Sequence, residues 1–349
     1  MLLPPPKGSG FPQPKKSMKQ YLTGFFMAWG NFCALPCPCK RWDTNATPLM
    51  LGFLPSVGVI IGAIWAALYF AAVYFGLPYL VVAFLVTFLP FALCGFLHMD
   101  GFMDCSDAIL SRRPLEDRQR ILKDSHTGAF AVISIVFYIL AYFAFTSTAI
   151  TIGIDFANMI LLVCLSRSVS GLHVLIAKPM QTSQYAKMNP ASEAAPAPAD
   201  DDSSAVNPAV IKAEAAADPA ALSVSCDNAK AEAGPDPIPA AVAPSASCDS
   251  AAAAPEASIA AADAPREARP AIKKQGIVLL LAQLVIYLAL AFWCSSYPIV
   301  TAIMCAFTVC AVCAAIFYGR RQLGGMNGDI AGYGILWGEL FGMLALALF

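Results

Sequence analysis

Three aspartates, Asp100, Asp104 and Asp107, lie in the run LHMDGFMDCSDAI at spacing i, i+4, i+7. On a helix they fall within an arc of roughly 60°, so all three carboxylates point the same way. Like charges so placed repel unless a cation sits among them, and an acidic group at bilayer depth costs about 2.5–3.5 kcal/mol. Hard oxygen donors in such a stripe suit Mg²⁺ or Mn²⁺, which bind through a few carboxylates plus substrate phosphate oxygens. The plainer alternative is that the aspartates begin a solvated loop, where they cost nothing. Three on one stripe, with Gly101 allowing close approach of another chain or ligand, favour the metal site. Mg²⁺ is the expected cofactor.

Downstream, SRRPLEDRQRILKDSHTGAF places Arg112, Arg113, Arg118, Arg120 and Lys123 beside that stripe. Cations next to a metal–carboxylate site neutralise the remaining charge of a phosphate-bearing substrate. They could equally be topological anchors; Lys123–Asp124, at the mouth of the following span, is the stronger functional candidate. A second constellation, GGMNGDIAGYGILWGEL, holds Asp329 in a glycine-rich turn and Glu339 nearly three turns deeper. An acid inside a span is a functional-site candidate by default, with a structural hydrogen bond as the alternative. His98, just before the stripe, could orient a carboxylate, contact substrate or pack in the core. Arg167 and His173 are expected to be interhelical polar contacts or pocket lining.

The elements that must position these groups are membrane helices. The 349 residues are 58% hydrophobic and only 13% charged, with mean hydropathy +0.64, where a soluble domain has roughly a quarter of its residues charged. The net charge of −1 identifies no partner, because charge in a membrane protein is read loop by loop. Seven spans are expected, at 49–75, 78–98, 127–149, 156–177, 275–294, 298–318 and 330–349. Basic connections (Lys40/Arg41; Arg112 to Lys123; Lys178, Lys187 and Arg266 to Lys274; Arg320/Arg321) alternate strictly with connections lacking positive charge. The positive-inside rule then puts the N-terminus and every basic loop in the cytosol, and Asp329 on the same membrane face as Asp100. The expected fold is an all-α polytopic membrane bundle.

The apolar stretch at 21–35 lacks an A-x-A-like cleavage site and runs into Pro36 and Lys40, so it is expected to be a retained interfacial or partly inserted helix. The domain scheme is a tail at 1–20, a first membrane part at 21–188, a linker at 189–272 and a second membrane part at 273–349. The linker is rich in Ala, Pro and Asp with almost no aromatics, a composition expected to stay disordered in the cytosol. Most of the cysteines sit in apolar stretches, where a thiol packs as a small hydrophobe; the Cys310/Cys313 spacing has no partner pair and points to packing.

In their order these motifs resemble the adenosylcobinamide-GDP ribazoletransferases (cobalamin synthases). That family's pattern looks like L-H-x-D-G-x-x-D-x-x-D, then M-K-D-S-R-x-G, then G-G-x-T-G-D-x-x-G-A and a glutamate. Here they are LHMDGFMDCSDA, LKDSHTGAF and GGMNGDIAGY followed by Glu339, with FLPSVG at 53–58 matching an early F-x-P-x-x-G. The likeness covers roughly 20–188 and 270–349. His126 stands where an arginine is usual, Asn327 where a threonine is, and Tyr333 where a small residue is. The resemblance implies transfer of adenosylcobinamide phosphate from adenosylcobinamide-GDP to α-ribazole or its 5′-phosphate, releasing GMP, at the cytosolic side of the cytoplasmic membrane. Asp100, Asp104, Asp107 and Asp329 would hold the metal. Arg112, Arg113, Arg120, His98 and His126 would bind phosphate, and Lys123 with Asp107 or Asp124 would serve the chemistry, either carboxylate accepting the hydroxyl's proton. The partners implied are the two substrates and the bilayer, with a second copy of the chain or other cobalamin-pathway enzymes as candidate assemblies, and no nucleic acid. A CDP-alcohol phosphotransferase fits less well, because no Ala-Arg follows Gly101. A cation-coupled transporter is disfavoured by the lack of internal symmetry.

Overall fold

The computed structural model describes residues 18–180, 183 and 268–349. The tail before residue 18 and the expected linker up to residue 267 lie outside the described residues, as do Lys187 and Arg266. Among the described residues there are eleven α-helices, one short 3-10 turn and no β-strand. They are α1 (Met18–Phe32), α2 (Thr47–Gly52), α3 (Leu54–Tyr74), α4 (Tyr79–Leu93), α5 (Leu97–Leu110), α6 (Leu115–Ile121), α7 (Ala129–Ile152), α8 (Phe156–Ile176), α9 (Ala268–Cys294), α10 (Pro298–Leu323) and α11 (Gly328–Leu348). The all-α expectation holds. Helix α9 starts inside the stretch assigned to the linker.

Six helices, α3 and α7 to α11, are long and apolar enough to cross a membrane; a seventh span exists if the bent pair α4 and α5 counts as one. The chain is therefore a multi-pass membrane protein. Two of the seven expected spans need correction. The first divides at Phe53 into α2 and α3, with Pro55 in the opening turn of α3. The second, expected unbroken over 78–98, turns through 87° between α4 and α5. Helix α4 ends in a Schellman motif: Phe96 N–H donates to Phe91 C=O at 2.9 Å and Gly95 N–H to Ala92 C=O at 2.9 Å. Gly95 takes φ +63°, the left-handed conformation that glycine adopts without steric cost. The Leu93 carbonyl left over at the break accepts from Ala34 N–H at 2.8 Å, on the segment following α1. In a bilayer such a carbonyl cannot be left to water, so α1 and its exit satisfy it.

Helices α8 and α11 form the buried centre. Helix α3 reaches α8 through Gly58 and Gly62, where an added Cβ would lie 2.7 Å from the Cα of Cys164 and of Ile160 respectively. This small-xxx-small spacing lets two membrane helices touch backbone to backbone. Helix α5 is seated by its apolar side. Phe102 stacks on Tyr333 of α11 (5.4 Å, 18°) and packs on Tyr138 of α7 at 5.2 Å. That leaves the acidic stripe on the opposite, less buried side.

Candidate functional site

The stripe is carried by α5 as the spacing requires: Asp100 is exposed, Asp104 and Asp107 half-buried, while Gly101, Phe102, Cys105 and Ser106 between them are buried. Gly101 is the pivot. A Cβ there would lie 2.9 Å from the Asp329 Cα, so only glycine lets the first turn of α11 rest on α5. Asp329 thus joins the stripe, and Asp104 lies within electrostatic range of Asp100, Asp107 and Asp329. Among the described residues none of the four forms an ion pair. Nor do three His, Cys, Asp or Glu side chains there stand close enough together to enclose a metal ion.

Asn327, where the family pattern has threonine, caps α11 by accepting from Ile330 N–H at 2.9 Å. Its amide donates to Asp329 Oδ2 at 2.6 Å, fixing that carboxylate. Asp107 faces a different neighbour. A Cβ on Gly128, the N-cap of α7, would fall 2.1 Å from its carboxylate oxygens. Asp107 therefore sits at the positive end of a 24-residue helix, which accounts for the glycine in LKDSHTGAF.

A cleft of about 240 Å³ opens beside Asp329, lined by Gln119, Lys123, Met180, Ser183 and Asn327 among others. It brings Lys123 to the same mouth as Asp329, over 200 residues away in sequence. The cleft is framed by a backbone bridge: Met180 N–H donates to Met326 C=O at 2.9 Å, and Met326 N–H to Lys178 C=O at 3.0 Å. Helix α6 is tied over it, with Gln119 Nε2 donating to Leu323 C=O at 2.8 Å and Arg118 to Gln322. Gln119 and Ser183 had no signal in the sequence.

The other expected phosphate binders are dispersed. Arg112 and Arg113 are exposed on the connection after α5. Arg120 is exposed and pairs with Asp117 at 2.7 Å. His126 pairs with Asp124, Nδ1 to Oδ1 at 2.7 Å. The His126 backbone N–H, together with its ring, holds the Asp124 carboxyl below the usual carboxylate range, which makes Asp124 a poorer proton acceptor. His98 is elsewhere. Its ring is buried, stacks on Phe32 at 6.5 Å, and packs in the same region of the core as Cys94, Arg167 and Glu339, with no room there for a water.

Arg167 makes an interhelical polar contact, one of its two expected roles, and its partner is Glu339, Nη1 to Oε1 at 2.5 Å, both side chains buried; for Glu339 this is the structural alternative. Ser166 donates to the same carboxylate at 3.1 Å. Glu339 is thereby paired through Oε1 ten residues below Asp329, and it is not among the residues lining the cleft.

Comparison with known proteins identifies the family. The family described as cobalamin-5-phosphate synthase matches residues 24–203 and 240–347, extending into both ends of the stretch assigned to the linker. An adenosylcobinamide-GDP ribazoletransferase from Clostridium perfringens strain 13 is 38% identical over 170 residues, covering 49% of this chain and 68% of that protein. One from Clostridium botulinum strain Eklund 17B is 40% identical over 119 residues, 34% of this chain and 47% of that protein. One from Lachnoclostridium phytofermentans is 32% identical over 161 residues, 45% and 59% of the two chains. No solved structure matches. With the acidic helix, the glycine-seated Asp329 and a match across most of its length, this chain belongs to the cobalamin-5-phosphate synthase family.

Proposed function

We infer that this chain transfers the adenosylcobinamide phosphate of adenosylcobinamide-GDP to α-ribazole or its 5′-phosphate, releasing GMP. A ribose hydroxyl of the acceptor attacks the cobinamide-side phosphorus. The bond from that phosphorus to the bridging oxygen breaks, GMP carries the bridging oxygen away, and the hydroxyl proton passes to a base. The observation that carries this for the present site is the placement of Asp329: Gly101 lets it rest on the aspartate helix α5, and it shares a cleft with Lys123.

Four carboxylates without a cationic partner among the described residues are the donor chemistry of a magnesium site. Their spread suits Mg²⁺, which keeps several waters and takes one or two carboxylates plus phosphate oxygens rather than a closed protein cage. Asp100, Asp104, Asp107 and Asp329 are the candidate donors, of which one or two would bind it directly and the others through its waters. A bound Mg²⁺ supplies charge neutralisation along the diphosphate. Lys123, at the cleft, would grip a phosphate oxygen, and Arg112 and Arg113 would add to the positive approach. Of the two candidate bases, Asp107 is the better: it lies on the stripe, whereas Asp124 is exposed and held by His126. The alternation of basic loops supports placing the mouth on the cytosolic side of the cytoplasmic membrane.

The test is GMP release from adenosylcobinamide-GDP by membranes containing the protein. GMP should appear together with the corrinoid product only when α-ribazole and Mg²⁺ are both present. No GMP in the complete mixture would overturn the reaction; undiminished release after chelation would overturn the metal.

A further inference from the structure

Arg167 sits in the middle of α8, and its guanidinium reaches three elements at once. Nη1 meets Glu339 of α11 at 2.5 Å and the Val163 carbonyl of its own helix at 3.1 Å. Nη2 meets Cys94 Sγ at 2.8 Å. Cys94 is the residue that closes α4, directly before the left-handed pair Gly95 and Phe96 at which the chain turns into α5. In the first turn of α5, the His98 backbone lies against Gly332 of α11, where an added Cβ would come within 3.2 Å. Phe96, a bulky residue at φ +59°, stays in that conformation only if its surroundings impose it.

We propose that Arg167 is a positioning residue for the phosphate-transfer site: by gripping the α4–α5 break and α11 together, it sets the register in which Gly101 meets Asp329. A buried ion pair adds little to stability over apolar residues of equal volume, and its best-attested use is to specify one arrangement among several. Here the alternatives it removes are other angles at the break, each of which would carry Asp100 and Asp104 away from Asp329. The kinetic part of the proposal rests on the reaction given above; the register does not.

The experiment compares wild type with the Arg167→Met/Glu339→Leu double variant, which leaves no unpaired charge in the membrane. Turnover is measured as GMP release, and hydrogen exchange is followed at amides 96–104. The double variant should fold, lose on the order of 10- to 100-fold in kcat with KM for adenosylcobinamide-GDP within about threefold, as expected for misplacement by an ångström or less. Its α5 amides should exchange at least about tenfold faster. A folded double variant with wild-type kcat, whatever its exchange, overturns the proposal. Cys94→Ala, which removes only the contact at the break, provides the decision if the double variant does not fold: several-fold lower kcat with faster exchange supports the proposal, and wild-type kcat overturns it. Should wild type itself release no GMP, the reaction fails, while unchanged exchange in the variants would separately refute the register.

Discussion

Asp329 and Glu339 lie on one helix, about 15 Å apart along its axis, and represent opposite treatments of charge. Around Asp329 the carboxylates of α5 accumulate without an ion pair among the described residues, and an asparagine amide holds Asp329 itself. Around Glu339 the carboxylate is matched to arginine and serine in the dry interior of the bundle. Leaving like charges together disfavours the apo fold and makes sense where a cation and a polyanionic substrate complete the set. Pairing a charge fully makes sense where the aim is to hold helices at a fixed register. One region is built to receive something, the other to stay as it is.

Mutations should therefore fail differently in the two regions. The largest effect is expected at the mouth: Asp104→Ala or Asp107→Ala should abolish turnover, at least 10²–10³-fold in GMP release, with membrane insertion and melting temperature unchanged or slightly raised. In the core, Glu339→Ala should do the reverse. It strands the Arg167 guanidinium in the bilayer and should cost about 3–5 kcal/mol, visible as a lower melting temperature before any effect on the chemistry of the folded fraction. If Asp104→Ala unfolded the protein and Glu339→Ala did not, the contrast would be wrong. Gly101→Ala, which pushes α11 off α5, should lower kcat by roughly tenfold through misplacement. Lys123→Ala should raise KM for adenosylcobinamide-GDP by about tenfold, the loss of one charged contact, and leave kcat nearly constant. The smallest effect belongs to Asp124→Asn. Because its carboxyl already titrates below the usual range beside His126, it stays ionised across the acid limb of the pH–rate profile. That limb should not move, and turnover should stay within about threefold of wild type, whereas a general base contributes roughly 10²–10⁴.

Much of this was legible in the residues. The i, i+4, i+7 spacing placed three carboxylates on one side of a helix because helical geometry leaves no other outcome, and that is how α5 presents them. Charge inside apolar stretches marked Arg167 as an interhelical contact or pocket lining and Glu339 as a functional-site candidate or a structural hydrogen bond; their pairing with each other is seen only in the structure. Two things were hidden. The 87° break was missed because Pro90 and Gly95 are both tolerated within a membrane helix, and the Ala34 hydrogen bond that helps satisfy the interruption comes from a distant segment. Scattering of the cationic loop was missed for a related reason. Arginines three residues from an aspartate pair locally, as Arg120 does with Asp117, and composition cannot say which of them remain to meet a substrate.

The hydrogen bond from Ala34 to Leu93 gives the short amino-terminal helix an importance that its place at the edge of the bundle conceals. Trimming the chain to begin at α2, a natural choice when shortening a membrane enzyme for expression, would uncover a carbonyl in hydrocarbon and remove the Phe32 ring from His98. The damage would surface more than sixty residues downstream, in the aspartate helix, so a shortened protein could assemble in the bilayer and still be catalytically silent. Tags belong ahead of Met18, and deletions should stop there.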